Sequence, residues 1–245
     1  MHTTAFAILA AGLFASSACA GVATLAASAD NTLYEDETGI LSNGQGESFF
    51  AGRTALEVLR RGLIRFDFSA IPAGSTITNV SLTLHCTRSI SLAENMTLHR
   101  ALQSWGEGAS NALGEGGRGV TAEAGDATWI HRFSGGQTWT TIGGDFDATA
   151  SATTPVAGIG SYVWTSQLLA TDVQGWIDNP SSNNGWFLLG AEDLVASAKR
   201  FASRENSDEL LRPSLNIEYV VPAPGVVTLF AFIAVSACKR RRSGG

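Results

Sequence analysis

Apolar and polar residues alternate through much of the middle of this chain, which is the pattern of strands that bury one face. The clearest case is 76–86, where every second residue from Val80 onward is apolar: Val80, Leu82, Leu84 and Cys86. Further strands are predicted over 63–68, 96–102, 162–164, 186–189, 199–203 and 215–219. In 96–102 the residues assigned to one face are Met96, Leu98, Arg100 and Leu102. The chain is therefore predicted to consist largely of short strands.

One segment has helical spacing instead. Thr171 and Gln174 have the spacing of a capping box, and Val173 and Trp176 then fall on one apolar face. Pro180 ends the segment because it disfavours the helical conformation at the residue before it. Many short strands, glycine- and asparagine-rich turns and one short helix predict an all-β fold, an antiparallel β-sandwich of the jelly-roll type.

Two stretches show no clear period and are interpreted as loops. Residues 106–119 (GEGASNALGEGGRG) form the longer one, and they lack the Lys-Ser/Thr ending of a phosphate-binding loop. We expect a flexible or cation-binding connection there. Residues 143–160 form a second loose stretch that contains several threonines and alanines.

The first residues of the chain are typical of a secretory signal peptide, assigned to 1–29. An apolar run over 5–18 is followed by the small-x-small pattern Ala-Cys-Ala at 18–20, and a second such pattern, Ala-Ser-Ala, lies at 27–29. A buried N-terminal helix is the alternative, because nothing in the segment is charged. The cysteine of the first pattern also suggests a lipoprotein, but Ser16 stands where that signal usually has Leu. We interpret the segment as a substrate of signal peptidase.

The last residues, 221–245, carry a second export pattern. A Pro-Ala-Pro-Gly motif is followed by a thirteen-residue apolar run over 226–238 and then by a basic cluster. The residues of the motif and cluster that we assign to sorting are Pro222, Pro224, Gly225, Lys239, Arg240, Arg241 and Arg242. Thirteen helical residues span roughly 20 Å, less than the roughly 30 Å hydrocarbon core, so we expect only transient residence in the inner membrane. The basic cluster would stay on the cytoplasmic side.

This order of motif, apolar helix and basic cluster resembles the PEP-CTERM sorting signal, with Ala223 where that signal usually has Glu. The resemblance implies recognition by an exosortase-like sorting enzyme and a secreted or cell-envelope location.

The charge and the cysteine content of the chain bear on its partners and on its covalent cross-links. Without the four basic residues of the tail, 12 basic residues face 22 acidic ones, a net charge near −10. Such a surface repels phosphate backbones, so nucleic acid is not an expected partner. Outside the two end segments Cys86 is the only cysteine, which leaves no intramolecular disulfide. Its alternating position favours a buried small side chain over a nucleophile.

No catalytic motif is found in the sequence. His-Glu-x-x-His, Cys-x-x-Cys and Gly-x-Ser-x-Gly are all absent, which favours a protein that is not an enzyme. The histidines His85, His99 and His131 are far apart and are interpreted as solvated or cross-strand residues. A pair of carboxylates that meet in the fold stays open, because a glycosidase needs only two at about 5–9 Å.

No cofactor is expected from these patterns. Calcium is an open alternative wherever Asp and Asn oxygens converge, as at Asp30 and Asn31 or at Asp145 and Asp147, although the spacing is not that of an EF-hand. Arginine and acid neighbours are interpreted as structural ion pairs: Arg65 with Asp67, and Arg204 and Glu205 with residues near them.

Three tryptophans are candidates for ligand binding, because sugars stack on flat aromatic rings. Trp105, Trp129 and Trp139 flank glycine-rich segments and are the candidates for exposed platforms; the favoured alternative is that they plug the ends of the sandwich. The remaining tryptophans lie within apolar patterns and are assigned to the core: Trp164, Trp176 and Trp186.

Several short motifs, in their order, resemble a DNRLRE-type domain over roughly 30–220. They are RGLIRFDFSAIPAGSTITNVSLTL at 61–84, WGE at 105–107, DATW at 126–129, DVQGW at 172–176, NGW at 184–186, FASRE at 201–205 and RPSL at 212–215. The resemblance implies a jelly-roll β-sandwich of secreted and surface proteins. Some members of that family are carbohydrate-binding modules, with alginate-type ligands among them.

The leading hypothesis is an exported, non-catalytic protein of the envelope or of an extracellular exopolysaccharide matrix. Its domain, 30–220, would bind polysaccharide weakly or pack against other matrix components. A polysaccharide lyase or glycoside hydrolase acting in a jelly-roll groove is the first alternative, and a purely structural domain without a ligand is the second.

Overall fold

The computed structural model describes residues 19–222, which form an antiparallel, largely β structure with one α-helix. The strands are β1 Cys19–Tyr34, β2 Leu41–Ser42, β3 Ser48–Arg53, β4 Leu59–Phe66, β5 Thr76–Arg88, β6 Glu94–Ala101, β7 Val120–Thr121, β8 Phe146–Val156, β9 Gly160–Thr165, β10 Trp186–Leu189, β11 Lys199–Ala202 and β12 Ser214–Val221. Helix α1 spans Gln167–Asp178, and short 3-10 turns span Pro180–Ser182 and Glu209–Leu211.

Two layers of strands are joined by β1 and β3, which each take part in both. In the first layer β5 pairs with β12 and β11 along one edge and with β9 along the other. The second layer runs β1, β4, β10, β6, β8. Strand β1 pairs with β12 through Ala26 and with β4 from Ala27 onward, with a bulge between Ala27 and Ala29. The result is an all-β, sandwich-like architecture, as the alternation predicted.

The main hydrophobic core lies between these layers. The predicted alternation of β5 is confirmed, because Val80, Leu82, Leu84 and Cys86 are all fully buried. The assignment of Trp164, Trp176 and Trp186 to the core is confirmed as well. Trp176 of α1 meets Trp186 of β10 with ring centroids 4.5 Å apart, so the helix closes one side of this core.

A second core lies on the other face of the second layer. Strand β10 contributes to both cores, because Trp186 and Leu188 point into the main core while Phe187 and Leu189 point away from it. The long connection between β6 and β8 covers that outer face with its tryptophans. The second core contains Ala29, Leu33, Leu63, Ala101, Trp105, Ala127, Trp129, Trp139, Phe187 and Leu189.

Strand β6 departs from its predicted alternation. Met96 and Leu98 are buried, but Arg100 and Leu102 are exposed, although all four were assigned to one face. The register against β8 shifts on both sides of His99. Against β10 the register does not shift and Arg100 pairs with Trp186, so Arg100 stays on the face of Leu98 but lies exposed near the end of the strand. Leu102 lies beyond the end of β6.

Helix α1 ends where Pro180 predicted, but it begins earlier than the predicted cap at Thr171. Ser166 is the actual N-cap, and its hydroxyl accepts a hydrogen bond from the Leu169 N–H. Gln174 binds the start of β5 instead of capping the helix. Its side chain accepts from the Ile77 N–H at 2.8 Å and donates to the Ser75 carbonyl at 3.1 Å.

The stretch 143–160 was predicted to be loose, and this is wrong. It contains β8, which pairs with β6 along most of its length. Small Ala and Thr side chains dominate β8, and they give little contrast between a buried and an exposed face. The irregular course predicted for 106–119 is confirmed.

Both predicted processing segments lie largely outside the described residues. Strand β1 begins at Cys19, so the predicted boundary at residue 29 falls inside a paired strand, and so does the cleavage pattern at 27–29. The pattern at 18–20 lies at the strand's start. Pro222 is the last described residue, and the rest of the sorting motif is not described. Within 19–222, no helix combines the length and hydropathy required to cross a bilayer.

Candidate anion-binding cleft

The three tryptophans proposed as exposed platforms are buried. Trp105, Trp129 and Trp139 are 1%, 8% and 4% exposed. The indole N–H of Trp105 donates to the Asn184 carbonyl at 2.8 Å, and that of Trp139 donates to the Thr128 carbonyl at 2.9 Å. Stacking on a sugar requires an open ring face, so the exposed interpretation is wrong. These side chains build the second core, in line with a structural role.

Arginines cover two of these rings. The Arg65 guanidinium lies 5.1 Å from the Trp105 ring centre, and that of Arg61 lies 4.9 Å from Trp129. Such contacts stabilise a cation against an aromatic face. The predicted cross-strand pairing of Arg65 with Asp67 is thus replaced by a contact with an aromatic ring.

A different surface gathers positive charge. An open cleft of about 290 Å³ lies where β3, β11 and the end of β5 meet the loop 106–119. Its principal lining residues are Phe50, Arg60, Arg88, Ile90, Glu115 and Arg200. Three guanidinium groups in one cleft contrast with the chain's excess of acidic residues.

Two of the arginines are directly opposite each other in the sheet. Arg200 of β11 pairs in register with Arg88 at the end of β5. Like charges in directly opposed positions repel, which is unfavourable unless an anion lies between them. The Arg200 Nε also donates to Thr87 Oγ1 at 2.8 Å, so its guanidinium is held in place.

A carboxylate of the chain itself bridges this pair. The Nη1 atoms of Arg88 and Arg200 each lie 2.6 Å from Glu115 Oε2. The Glu115 side chain remains 66% exposed. The hydrogen bond from Arg88, together with the charge of Arg200, lowers the pKa of the Glu115 carboxyl, so this carboxylate stays ionised.

The third arginine is buried and incompletely paired. Arg60 is only 7% exposed, and its guanidinium lies 4.7 Å from the Tyr34 ring centre. Its Nη1 donates to the Leu59 carbonyl at 2.8 Å, but its buried Nε has no hydrogen-bond partner. A buried donor without a partner costs about 1–3 kcal/mol. Burial lowers the pKa of this guanidinium, which shows the same cost of desolvation.

A second charged group, the acid cluster, consists of Asp30, Glu107 and Glu205 around Arg204. The Arg204 guanidinium binds Glu107 through two bonds, of 2.7 and 2.9 Å, and its Nε lies 2.7 Å from Glu205 Oε1. Asp30 accepts a hydrogen bond from the Arg204 backbone N–H at 2.7 Å. The expected ion pairing of Arg204 and Glu205 with neighbours is present in the structure.

Burial controls the titration of this cluster. Desolvation, reinforced by the nearby acids, raises the pKa of Asp30 well above its usual range. The same causes raise the pKa of Glu205 to about 7. Glu205 Oε2 is buried and has no hydrogen-bond partner. The cluster thus carries a carboxyl group that changes its charge near neutral pH.

The positions considered for calcium do not converge on a common point. Asp145 accepts from the backbone N–H groups of Thr140 and Thr141, and Asp147 pairs with Arg100 at 3.1 Å. Across the part of the chain that the structure describes, no three His, Cys, Asp or Glu side chains are arranged to hold a metal ion.

The histidines make separate local contacts. His85 lies 3.0 Å from Ser161 Oγ, and His131 lies 3.2 Å from Thr128 Oγ1. His99 is buried beside Phe146 on the side of the second core and contacts the Asp147 carbonyl of β8 at 2.8 Å. It is thus a cross-strand histidine and is not solvated.

Several of the short motifs contact one another. Glu107 of WGE binds Arg204 of FASRE, and the Trp186 N–H of NGW donates to Asp172 of DVQGW at 2.8 Å. These motif residues thus hold distant segments together. Comparison with protein-family models gives no match, and comparison with curated proteins gives none either. The resemblance to the DNRLRE-type domain therefore stays a prediction from the sequence.

The cleft arginines were not found by sequence reasoning. Each lies in or at the end of a strand, where a solvated charge is ordinary. The signal that the sequence offered for these arginines was the small number of basic residues, since only 12 precede the tail.

Proposed function

We propose that this chain is an exported, non-catalytic protein of the cell envelope or exopolysaccharide matrix that binds acidic polysaccharide in the arginine-lined cleft. Its domain would be a jelly-roll sandwich of the DNRLRE type. The observation that carries the proposal is the opposed pair Arg88 and Arg200 beside the buried, incompletely paired Arg60. We expect no cofactor.

The charge of the cleft supports an anionic ligand. Guanidinium groups bind carboxylate and sulfate oxygens through paired, charge-assisted hydrogen bonds. A bound anion would take the place of Glu115 between Arg88 and Arg200 and add negative charge beside the Arg60 guanidinium. A neutral ligand would do neither.

The shape and lining of the cleft support a saccharide. Phe50 and Ile90 add apolar surface beside the charged groups. Sugar rings present apolar C–H faces together with hydroxyl or carboxylate groups, so a mixed lining of this kind matches them. The cleft is open, which would let a polymer continue beyond the bound residue.

The end segments support export. Signal peptidase would remove an N-terminal leader, and an exosortase-like enzyme would act on the tail while it lies in the inner membrane. Because β1 already begins at Cys19, we favour cleavage at the 18–20 pattern, which keeps most of that strand.

Binding can be tested with polygalacturonate and with its methyl ester, which keeps the sugar backbone but masks the carboxylates. We expect the full chain to bind the polyuronate at low salt and the ester at least about tenfold more weakly, since charge-assisted bonds contribute roughly 1.5–3 kcal/mol each. Isothermal titration calorimetry measures both affinities. No binding of any acidic polysaccharide would remove the proposal.

The variant Arg200→Gln locates the site. We expect about a tenfold or greater loss of polyuronate affinity, because the anion loses one of its two opposed partners. The matched control is Arg100→Gln, which also removes one partly exposed arginine paired with an acid but lies on β6, outside the cleft. Equal losses in the two variants would indicate nonspecific attraction.

A lyase or hydrolase remains a second candidate because of the acid cluster. Glu107 and Glu205 contact the same Arg204 Nε, which brings the two carboxyl groups within a few ångströms of each other. A carboxyl with a pKa of about 7 suits a general acid. Steady depolymerisation of the polyuronate that is lost in Glu205→Gln would establish this candidate and replace the first.

A further inference from the structure

The cleft already contains a carboxylate of the chain itself. Glu115 is the residue whose Oε2 accepts hydrogen bonds from both Arg88 and Arg200. It lies between Gly114 and Gly116, whose φ angles of 71° and 68° favour glycine and form the turn that presents it. The position of Glu115 Oε2 is thus the position that a ligand anion would take.

We propose that Glu115 is a resident competitor for the anionic group of the ligand and that it determines which ligands the cleft accepts. This inference rests on the proposed function, since it concerns the same site. A ligand has to displace the Glu115 carboxylate before it can bridge Arg88 and Arg200.

The geometry makes this displacement feasible. Both arginines converge on one Glu115 oxygen, whereas a guanidinium has five N–H donors and can bind a carboxylate through two parallel bonds. A ligand carboxylate that forms paired bonds would therefore replace a weaker arrangement. The exposed Glu115 side chain can rotate into solvent without unfolding any structure.

The main chain of the loop need not move. The Tyr34 hydroxyl donates to the Gly116 carbonyl at 2.7 Å, which fixes the residue after Glu115. Arg60, on the other side of the cleft, stacks on that same tyrosine ring. Displacement thus involves one side chain on an anchored turn.

Competition of this kind produces selectivity. A polymer with a carboxylate on every sugar can replace Glu115, because a neighbouring sugar of the same polymer binds quickly after one sugar dissociates. A neutral or sparsely charged polymer supplies too few carboxylates to replace the ion pairs that Arg88 and Arg200 lose when Glu115 is displaced. Glu115 would therefore raise the charge density that a ligand needs.

Two substitutions test the proposal. Glu115→Gln removes the competing charge and keeps the side-chain shape, while Glu115→Asp keeps the charge but is too short to bridge both arginines. We expect Glu115→Gln to bind polygalacturonate about three- to tenfold more tightly, the range that corresponds to the loss of exposed ion pairs. Glu115→Asp should give a smaller gain, which would show that the bridge and not only the net charge matters.

The control is Glu37→Gln, which removes one exposed carboxylate outside the cleft and should leave the affinity unchanged. Half-esterified polygalacturonate provides the selectivity readout. Its affinity should rise more in Glu115→Gln than that of the fully charged polymer.

The outcomes separate this inference from the proposed function. If the unmodified chain binds polygalacturonate and Glu115→Gln binds equally or more weakly, the competitor is overturned while the binding function stands. If neither protein binds, both are overturned. If only Glu115→Gln binds, binding by the unmodified chain is overturned while the competing role of Glu115 stands. A gain equal to that of Glu37→Gln would show a general charge effect and overturn the competitor.

Discussion

At the cleft, two arginines face each other and share one exposed carboxylate, whereas at the acid cluster three carboxyl groups surround one arginine. The exposure of the carboxylates separates the two regions, although Arg200 is itself only 19% exposed. Arg88 and Glu115 are 61% and 66% exposed, but Glu107 and Glu205 are only 14% and 16% exposed. Water screens the repulsion in the first region, and burial prevents such screening in the second.

The difference suggests a division of tasks. Exposed ion pairs add little to stability and exchange partners easily, so they suit ligand binding. Buried ion pairs are costly to break because the remaining charge stays desolvated. The acid cluster also links β1 to the loops that follow β6 and β11, so we expect it to affect folding much more than binding.

The largest expected effect is that of Arg204→Met on stability at pH 8. The substitution leaves Asp30, Glu107 and Glu205 without their central cation. Breaking a buried pair costs roughly 3–5 kcal/mol, and we expect about 2–3 kcal/mol here because a third of the Arg204 side chain is exposed. Urea unfolding measures the change in the free energy of unfolding.

The matched control is Arg212→Met, which removes an arginine whose partner Glu209 is 80% exposed. That loss should stay below about 1 kcal/mol. If the two variants lose the same stability, burial does not distinguish the acid cluster from a surface ion pair, and the comparison fails.

A smaller effect is expected in the pH dependence of stability. The pKa of Glu205 is about 7 in the folded chain and 4.5 in its ordinary state, so the folded chain holds this proton more tightly. The resulting stabilisation is fully present below about pH 4.5 and is lost as the pH rises through about 7. Each unit of pKa difference corresponds to about 1.4 kcal/mol, and we expect a total change of about 2 kcal/mol because Glu205 is not fully buried.

Glu205→Gln should remove most of that pH dependence. Glutamine resembles the protonated acid, so the variant should keep its stability up to pH 8, apart from the remaining contribution of Asp30, whose pKa is also raised. Urea midpoints at pH 5 and pH 8 provide the measurement. An unchanged slope in the variant would show that Glu205 does not titrate as described.

The sequence predicted those strands whose buried side chains follow a regular pattern along the chain. Strand β5 was recognised because one face meets the main core and the other does not, so alternation reports its burial directly. Strand β10 was recognised as an apolar run. The bulge at His99 was not foreseen, since it depends on pairing with β8.

Neither the cleft nor the acid cluster could be predicted from local patterns in the sequence. Arg204 meets Glu107 across 97 residues and Asp30 across 174, so no local spacing predicts the acid cluster. Trp105 was a candidate for an exposed platform because it flanks a glycine-rich segment. The loop that carries Trp105 instead packs onto the outer face of β4 and β10. The apolar residues of a loop that forms a hydrophobic core follow no characteristic period along the sequence.

The smallest expected effect belongs to the cleft and tests the other half of the comparison. Arg88→Gln removes one ion pair with Glu115, but it also removes the repulsion between Arg88 and Arg200, so the two changes oppose each other. We expect the loss of stability to be less than about a fifth of that for Arg204→Met. Measured by urea unfolding, a larger loss would mean that the cleft arginines hold the fold together. A gain would mean that the repulsion between Arg88 and Arg200 outweighs their bridge through Glu115.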